Sequence, residues 1–197
     1  EPEGFKGIFT IGDGGDFPTI SSAVATLTDT IVTGAVTFEI LPGIYDEQVI
    51  IDSISRAYFG SPIVFQSQSG NPEDVIWGYS MQSVSSNYVV LLQNVSHLTF
   101  RNLSFKALNQ SAGRLIGLGI NTSNINIENN IFTGINISSF STGYAIINSG
   151  DVALDSISIL NNKFEFGSFA IRLYCNSVTG SVVVVQNNDC VSQSNRS

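Results

Sequence analysis

The chain has 197 residues, of which 43% are hydrophobic and 12% are charged, and these proportions exclude a disordered or collagen-like polypeptide. Its 8 basic and 16 acidic residues give a formal net charge of −8, which repels nucleic-acid backbones and anionic lipid, so we expect no nucleic-acid partner. No apolar run reaches the roughly 20 residues of a membrane-spanning helix, and we expect no membrane insertion.

The first predicted element is a short amphipathic helix. Asp16 follows a glycine turn and precedes Pro18, a residue that suits the first turn of a helix after a capping Asp. Apolar residues then recur at helical spacing, at Ile20, Ala23, Val24 and Leu27. The pattern predicts a helix over about 18–28. The turn residues Asp13 and Asp16 supply too few oxygens for Ca²⁺, so we expect no metal site there.

Short strands are predicted after this helix. Residues 36–40 alternate apolar and polar side chains with the period of a strand, and the Pro42-Gly43 turn follows them. Further apolar segments lie at 49–51, 63–65 and 75–77. Phe38 and Phe65 occupy matching places in two of these segments, and their separation has the length of one repeat in a chain of stacked structural units.

Two N-terminal segments resemble a known protein family. They are Gly-Asp-Phe-Pro-Thr-Ile-Ser-Ser-Ala at 15–23 and Phe-Glu-Ile-Leu-Pro-Gly-Ile-Tyr-Asp-Glu-Gln-Val at 38–49. Together they resemble the opening of pectin methylesterases and related pectate-lyase-like proteins, in which a Gly-Asp-Phe-x-Thr-Ile helix caps the coils before a Pro-Gly-x-Tyr-x-Glu strand. The likeness extends more loosely through Phe105. It implies a right-handed parallel β-helix with a capping helix at its N-terminal end.

The catalytic residues of that family do not carry over to this chain. The resemblance implies an oxyanion-binding Gln, a Gln-Asp pair, a nucleophilic Asp and an Arg. The first Gln position falls near Arg114, the Gln-Asp pair near Asn136-Ile137, and the nucleophile region near 168–170. None of these positions offers a carboxylate, so we expect neither the nucleophile nor the general acid of a pectinesterase.

Four segments of the second half share one pattern of two alternating apolar residues, then Asn, then an apolar residue three positions on. The shared asparagines recur at nearly even intervals and are Asn102, Asn129, Asn161 and Asn187. Such periods, with alternating β-branched and aromatic residues, predict an all-β chain folded as a parallel β-helix of about six coils. Leucine-rich repeats have similar periods, but the regular Leu framework that they need is missing.

We expect the repeated asparagines to point inward as a ladder, in which each side-chain amide bonds to the next one coil along. Beside the ladder we expect an apolar column made by Phe105, Phe132, Phe164 and Cys190. Two interpretations of Cys175 and Cys190 stay open, namely two reduced, buried thiols or one disulfide. Arg101 and Glu128 share a register on neighbouring coils and are expected to form a surface ion pair.

Charged residues of the later coils form a candidate polar groove. Its members are Arg114, Asp151, Asp155 and Arg172. Both arginines lie near the start of a coil's first strand, and both aspartates lie in the loop that makes one coil longer than its neighbours. Because loops on a rigid scaffold often carry function, a sugar-binding groove is one hypothesis, and solvated turns are the other. His97 is expected to be structural, and no cofactor or metal is expected.

The predicted organisation is one β-helix domain over 1–197. Residues 1–35 form an N-terminal strand, turn and capping helix, and 36–197 form the coils. The short segment after Cys190 offers too little chain for a recognisable cap. We therefore expect the chain to be part of a longer protein, with its C-terminal coil covered by further chain or by another copy.

Three hypotheses of function follow from these patterns. The leading one is a secreted or cell-surface module, hence extracellular, that associates with polysaccharide without catalysis; its substrate class rests on the family resemblance. The second is a divergent carbohydrate esterase or lyase whose site is built from the four groove residues. The third is a structural stalk of an adhesin or fibre.

Overall fold

The computed structural model describes residues 4–56, 58, 60–81, 83–110, 113–137, 141–150, 152, 154–174 and 182–191. They form a right-handed parallel β-helix of about six coils, as the sequence predicts. One α-helix, α1 (Ile20–Asp29), lies near the N-terminus of the described residues, and single-turn 3-10 helices span Pro72–Asp74 and Thr142–Tyr144. No helix in the described ranges is long and apolar enough to cross a membrane.

The strands are short and follow one another around each coil. In chain order they are β1 (Phe5–Ile11), β2 (Val32–Ile40), β3 (Gly43–Asp46), β4 (Val49–Asp52), β5 (Ile63–Ser67), β6 (Val75–Gly78), β7 (Val90–Gln93), β8 (Ser96–Arg101), β9 (Ser104–Lys106), β10 (Ile116–Leu118), β11 (Ser123–Glu128), β12 (Ile131–Thr133), β13 (Ala145–Asn148), β14 (Asp155–Leu160), β15 (Lys163–Glu165), β16 (Phe169–Arg172), β17 (Val183–Gln186) and β18 (Asp189–Val191).

Each strand pairs with its counterpart one coil along, and the strands collect into three parallel sheets. The seven-stranded sheet has the order β1-β2-β5-β8-β11-β14-β17, the five-stranded sheet β16-β13-β10-β7-β4, and the six-stranded sheet β18-β15-β12-β9-β6-β3. The register matches the sequence repeat, since Ile125 pairs with Leu98 on one side and with Ile157 on the other. The interior is the apolar core, filled by the inward side chains of all three sheets.

The predicted aromatic column is confirmed. The rings of Phe105 and Phe132 stack with centroids 5.2 Å apart, and those of Phe132 and Phe164 stack at 4.9 Å. Cys190 continues this column in register, because it pairs with Phe164. It is nevertheless exposed and carries a free thiol, which corrects the prediction of a buried thiol at this position.

The exposure of Cys190 has a positional cause. Its strand β18 is the last strand of its sheet among the described residues, so no further coil covers it there. Val185, whose partner Ile159 is fully buried, is likewise 47% exposed on the neighbouring strand β17. The expected cover of this coil, by further chain or by another copy, stays a prediction. Cys175 lies outside the described residues.

The capping helix begins slightly later than predicted, at Ile20, and uses a different cap. Thr19 is the N-cap residue, and its side chain accepts a hydrogen bond from the backbone N–H of Ser22 at 3.0 Å. Asp16, the predicted cap, instead accepts hydrogen bonds from the backbone and the hydroxyl of Thr10, at 2.7 and 2.8 Å. Thr19 thus satisfies an orphan N–H group of the first turn, and Asp16 holds the preceding turn against β1.

Two residues of the Pro-Gly-x-Tyr-x-Glu segment hold the cap against the first coil. The Tyr45 hydroxyl lies 2.8 Å from the carbonyl oxygen of Leu41 and 3.1 Å from that of Ile11. The Glu47 carboxylate accepts hydrogen bonds from the backbone N–H groups of Ile20 and Ser21 at 3.1 and 2.8 Å. A negative charge at a helix N-terminus also complements the helix dipole. The motif is therefore structural in this chain.

Replacing Glu47 by alanine is expected to lower the free energy of unfolding by about 1–2 kcal/mol, since the first turn of α1 loses a charged acceptor. Urea denaturation followed by far-UV circular dichroism measures this loss. Glu73→Ala, which removes a carboxylate from another coil, is the matched control. Equal stability of the two variants would contradict the capping role.

The predicted asparagine ladder is one residue out of register. Asn102, Asn129, Asn161 and Asn187 have left-handed backbones, with φ of 53°, 56°, 55° and 54°. Side chains along a strand point alternately inward and outward, but a left-handed residue interrupts this alternation. Counting from the preceding strand therefore predicts the wrong direction for the Asn side chain at this corner. The residue that follows each of them points inward instead, and these residues are Leu103, Asn130, Asn162 and Asn188.

The inward asparagines form an ordered set of hydrogen bonds. The Asn130 side chain donates to Oδ1 of Asn162 at 3.1 Å, and the Asn162 side chain donates to Oδ1 of Asn188 at 3.0 Å. Each Oδ1 also accepts a backbone N–H from the preceding coil, with Asn130 accepting from Leu103 at 3.0 Å. Asn130 and Asn162 are only 1% and 2% exposed, so these bonds satisfy polar groups inside the core.

The predicted ion pair between Arg101 and Glu128 is present, with Nη1 and Oε1 3.9 Å apart and both side chains partly exposed. Arg101 also donates two hydrogen bonds to Oε1 of Gln66, at 2.8 and 2.6 Å. An exposed pair of this kind contributes about 0–1 kcal/mol.

Candidate functional site

The outer face of the five-stranded sheet brings together the two arginines of the predicted groove. Leu91, Gly117, Asn148 and Arg172 occupy one register position on successive strands β7, β10, β13 and β16. Arg114 precedes β10 and reaches the same face, because its Cδ lies 3.9 Å from the point where a Cβ on Gly117 would lie. The close neighbour of that point is Leu91, whose Cδ1 lies 2.9 Å from it, so the missing side chain of Gly117 leaves room for Leu91.

Asn148 bonds Arg172 on the neighbouring strand. Its Oδ1 accepts a hydrogen bond from Nη1 of Arg172 at 3.0 Å, and the same Nη1 lies 3.4 Å from the carbonyl oxygen of Gly150. Asn148 is 2% exposed. Burial lowers the pKa of the Arg114 guanidinium below its usual value, and the positive charge of Arg172 lowers it further. The pKa direction therefore agrees with the geometry in placing two like charges near each other.

Asp155 of the predicted groove lies away from this cluster, in a different sheet. Asp155 begins β14 in the seven-stranded sheet, is exposed, and accepts a hydrogen bond from Oγ of Ser156 at 2.9 Å. Asp151 lies outside the described residues. Sequence reasoning placed Asp155 near the arginines because they lie in consecutive coils, but the chain turns from the five-stranded to the seven-stranded sheet between Asn148 and Asp155.

A second feature, which the sequence reasoning missed, is a groove of about 350 Å³ on the outer face of the seven-stranded sheet. It is lined by Pro62, His97, Thr99, Asn124, Asn126, Ser156, Ile157, Ser158, Val182 and Val184. Thr99, Asn126, Ser158 and Val184 share one register position, since each pairs with the next along β8, β11, β14 and β17. The signal was present in the repeats, where this outward position is mostly polar.

The chemistry of this groove is mostly neutral and polar. Thr99 and Asn126 contact each other, with Nδ2 of Asn126 3.4 Å from the Thr99 hydroxyl oxygen. The pKa of His97 is lowered by burial and by the nearby charge of Arg56. None of the residues that line the groove is a carboxylate. The groove thus offers hydroxyl, amide and imidazole groups for hydrogen bonds but no acid–base pair of carboxylates.

Asp52, in β4 at the end of the five-stranded sheet, is held in a hydrogen-bonded row. Its carboxylate accepts from Nε2 of Gln93 and Nδ2 of Asn94, each at 2.8 Å, and from the Ser53 hydroxyl at 2.7 Å. These hydrogen bonds lower the pKa of Asp52, and the bond from Asn94 has the largest effect. Asn121 extends the row by donating to Asn94 at 2.8 Å. A carboxylate satisfied in this way is a weak base.

The positions that align with the catalytic residues of pectin methylesterases carry no carboxylate side chain. Asn136 is exposed in the segment after β12, and the Ser168 hydroxyl donates to the carbonyl oxygen of Ser141. Within the described ranges there is also no group of three or more His, Cys, Asp or Glu side chains suited to a metal ion.

Comparison with known proteins supports the fold. No model of a known protein family matches the chain, and no curated protein matches its sequence. The crystal structure of the pectin methylesterase from Aspergillus niger, in a deglycosylated form, is similar to it in three dimensions. The two share 16% sequence identity, with a TM-score of 0.52 over 100% of this chain and 69% of that chain. The likeness confirms a pectinesterase-like β-helix fold.

Proposed function

We propose that the protein is a secreted or cell-surface module that associates with polysaccharide and does not catalyse its conversion. The fold it shares with a pectin methylesterase makes pectic polysaccharide the first candidate ligand. An extended ligand suits a β-helix because equivalent side chains repeat at the spacing of strands, about 4.8 Å, along the axis.

The observation that carries this proposal is the groove on the seven-stranded sheet. Its row of Thr99, Asn126 and Ser158 presents groups that both donate and accept hydrogen bonds, as sugar hydroxyls require. Pro62 and Val184 add apolar surface for the C–H faces of sugar rings. The lack of a carboxylate among the lining residues favours binding over hydrolysis or elimination, which need a nucleophile, acid or base.

The experiment is a binding titration of the whole chain against pectins of high and low methyl-ester content and a panel of other polysaccharides. We expect saturable binding, with neither methanol release nor unsaturated product. The double variant Asn126→Ala/Ser158→Ala removes two hydrogen-bonding side chains from the groove and is expected to weaken binding about tenfold.

Ser104→Ala is the matched control, because Ser104 faces outward on the six-stranded sheet, away from the groove. It should bind as the parent does. Methanol or unsaturated product from the parent chain would favour the divergent esterase or lyase instead. Absence of both binding and turnover across the panel would overturn the proposal in favour of a structural stalk.

A further inference from the structure

The cluster of Arg114, Asn148 and Arg172 has the composition and the spacing of an anion site. Gly117, Asn148 and Arg172 lie on three neighbouring strands at one register position, so consecutive members are about 4.8 Å apart. Cδ of Arg114 lies 3.9 Å from the point where a Cβ on Gly117 would lie. Asn148 therefore bonds Arg172 on one neighbouring strand and has Gly117, with the stem of Arg114 near it, on the other.

The side-chain amide of Asn148 has one satisfied and one unsatisfied end. Arg172 donates to its oxygen, which fixes the orientation of the amide, because the opposite orientation would place two donors against each other. The nitrogen Nδ2 is buried and has no hydrogen-bond acceptor in the described part of the chain. A buried donor of this kind is costly unless an acceptor reaches it, and native proteins leave few of them.

The electrostatics favour the same kind of ligand. Burial lowers the pKa of Arg114, and the positive charge of Arg172 lowers it further, so a second cation acts on this guanidinium. The planar fork of a guanidinium matches the two oxygens of a carboxylate or an equivalent pair in sulfate. The buried amide nitrogen of Asn148 adds a neutral donor beside Arg172.

We propose that Arg114, Asn148 and Arg172 bind an oxyanion, and that in the working protein this is the carboxylate of an acidic sugar. The saccharide part of this inference rests on the proposed function, whereas the oxyanion part rests on the cluster alone. The cluster lies on the five-stranded sheet and the neutral groove on the seven-stranded sheet, so the two are tested separately. The local positive charge also stands out against the formal net charge of −8.

The test is calorimetric titration and thermal unfolding of the whole chain with D-glucuronate, D-glucose and sodium sulfate, at constant ionic strength. We expect glucuronate to bind and to raise Tm, and glucose to do neither. Arg114→Gln and Arg172→Gln should each weaken glucuronate binding at least tenfold, since each removes a charge-assisted hydrogen bond. Arg101→Gln, which removes an exposed arginine from a different sheet, should leave binding unchanged.

A second variant keeps the test informative if loss of an arginine unfolds the chain. Asn148→Asp places a carboxylate of the protein against the Arg172 guanidinium, within the proposed site, without changing side-chain size. It is expected to abolish glucuronate binding and to raise Tm in the absence of ligand. A variant that keeps the parent's affinity for glucuronate would contradict the assigned site.

The outcomes separate the sources of the anion and the two proposals. Binding of glucuronate together with weak or absent binding of sulfate supports a sugar acid, and equal binding of sulfate supports a site for free oxyanions. No binding of either by the parent chain, or binding that survives both arginine substitutions, overturns the inference. The groove variant Asn126→Ala/Ser158→Ala is expected to lose polysaccharide binding and to keep glucuronate binding. Failure of one proposal is therefore distinguishable from failure of the other.

Discussion

Replacement of Asn162 by alanine is expected to lower the free energy of unfolding by about 3–5 kcal/mol, because several buried polar groups lose their partners at once. The Asn162 side chain accepts from the backbone N–H of Asn130 at 2.9 Å and donates to the carbonyl oxygen of Ile127 at 2.9 Å. It also donates to Asn188. Urea denaturation gives the loss directly.

The preceding residue supplies the control for this prediction. Asn161 is exposed and has a left-handed backbone, with φ of 55°, a conformation that glycine adopts without strain. Asn161→Gly should therefore leave stability nearly unchanged. If Asn161→Gly were the more damaging substitution, the outward position would be the ladder, and the assignment made from hydrogen bonds would be wrong.

Replacement of Phe132 by alanine is expected to cost about 3–5 kcal/mol, since a fully buried aromatic side chain is removed from a close-packed column. Its ring lies between those of Phe105 and Phe164, so the substitution breaks two stacked pairs and leaves a cavity. Thermal unfolding should show a large fall in Tm.

Two further substitutions locate the cause of that loss. Phe132→Leu fills part of the cavity and should cost less than the alanine variant. Ile131→Ala changes the adjacent outward residue of the same strand, which is only partly buried, and should cost far less. If Ile131→Ala lowered the stability as much as Phe132→Ala, the loss would come from reduced strand propensity and not from the aromatic column.

The fold was predictable because the sequence repeat also determines which residues pair between neighbouring coils. Segments that share alternating apolar residues at nearly even intervals along the chain can bury those residues only by pairing equivalent strands. The pairing of Phe105 with Phe132 and of Phe132 with Phe164 follows from the same alignment. The ladder was misplaced by one residue because a single left-handed residue at the corner reverses the direction of the next side chain.

The candidate site was only partly predictable. Arg114 and Arg172 both belong to the part of the coil that contains the five-stranded sheet, and the charge of Arg172 acts on Arg114. The position of Arg114 beside Gly117, and the buried amide that bonds Arg172, depend on which residues become neighbours across strands. The polar row of the groove on the seven-stranded sheet was visible in the repeats, but the depth of the groove depends on side chains that only the stacked coils bring together.

The order of residues by itself determined the all-β class, the coil period, the stacking partners and the capped N-terminal end, because apolar periodicity and turn chemistry act over short stretches of chain. The tertiary structure decided which asparagines face the core, that Thr19 rather than Asp16 caps the helix, and which charges meet on an outer face. These features depend on backbone torsion at single corners and on contacts between coils, and both arise only when the coils stack.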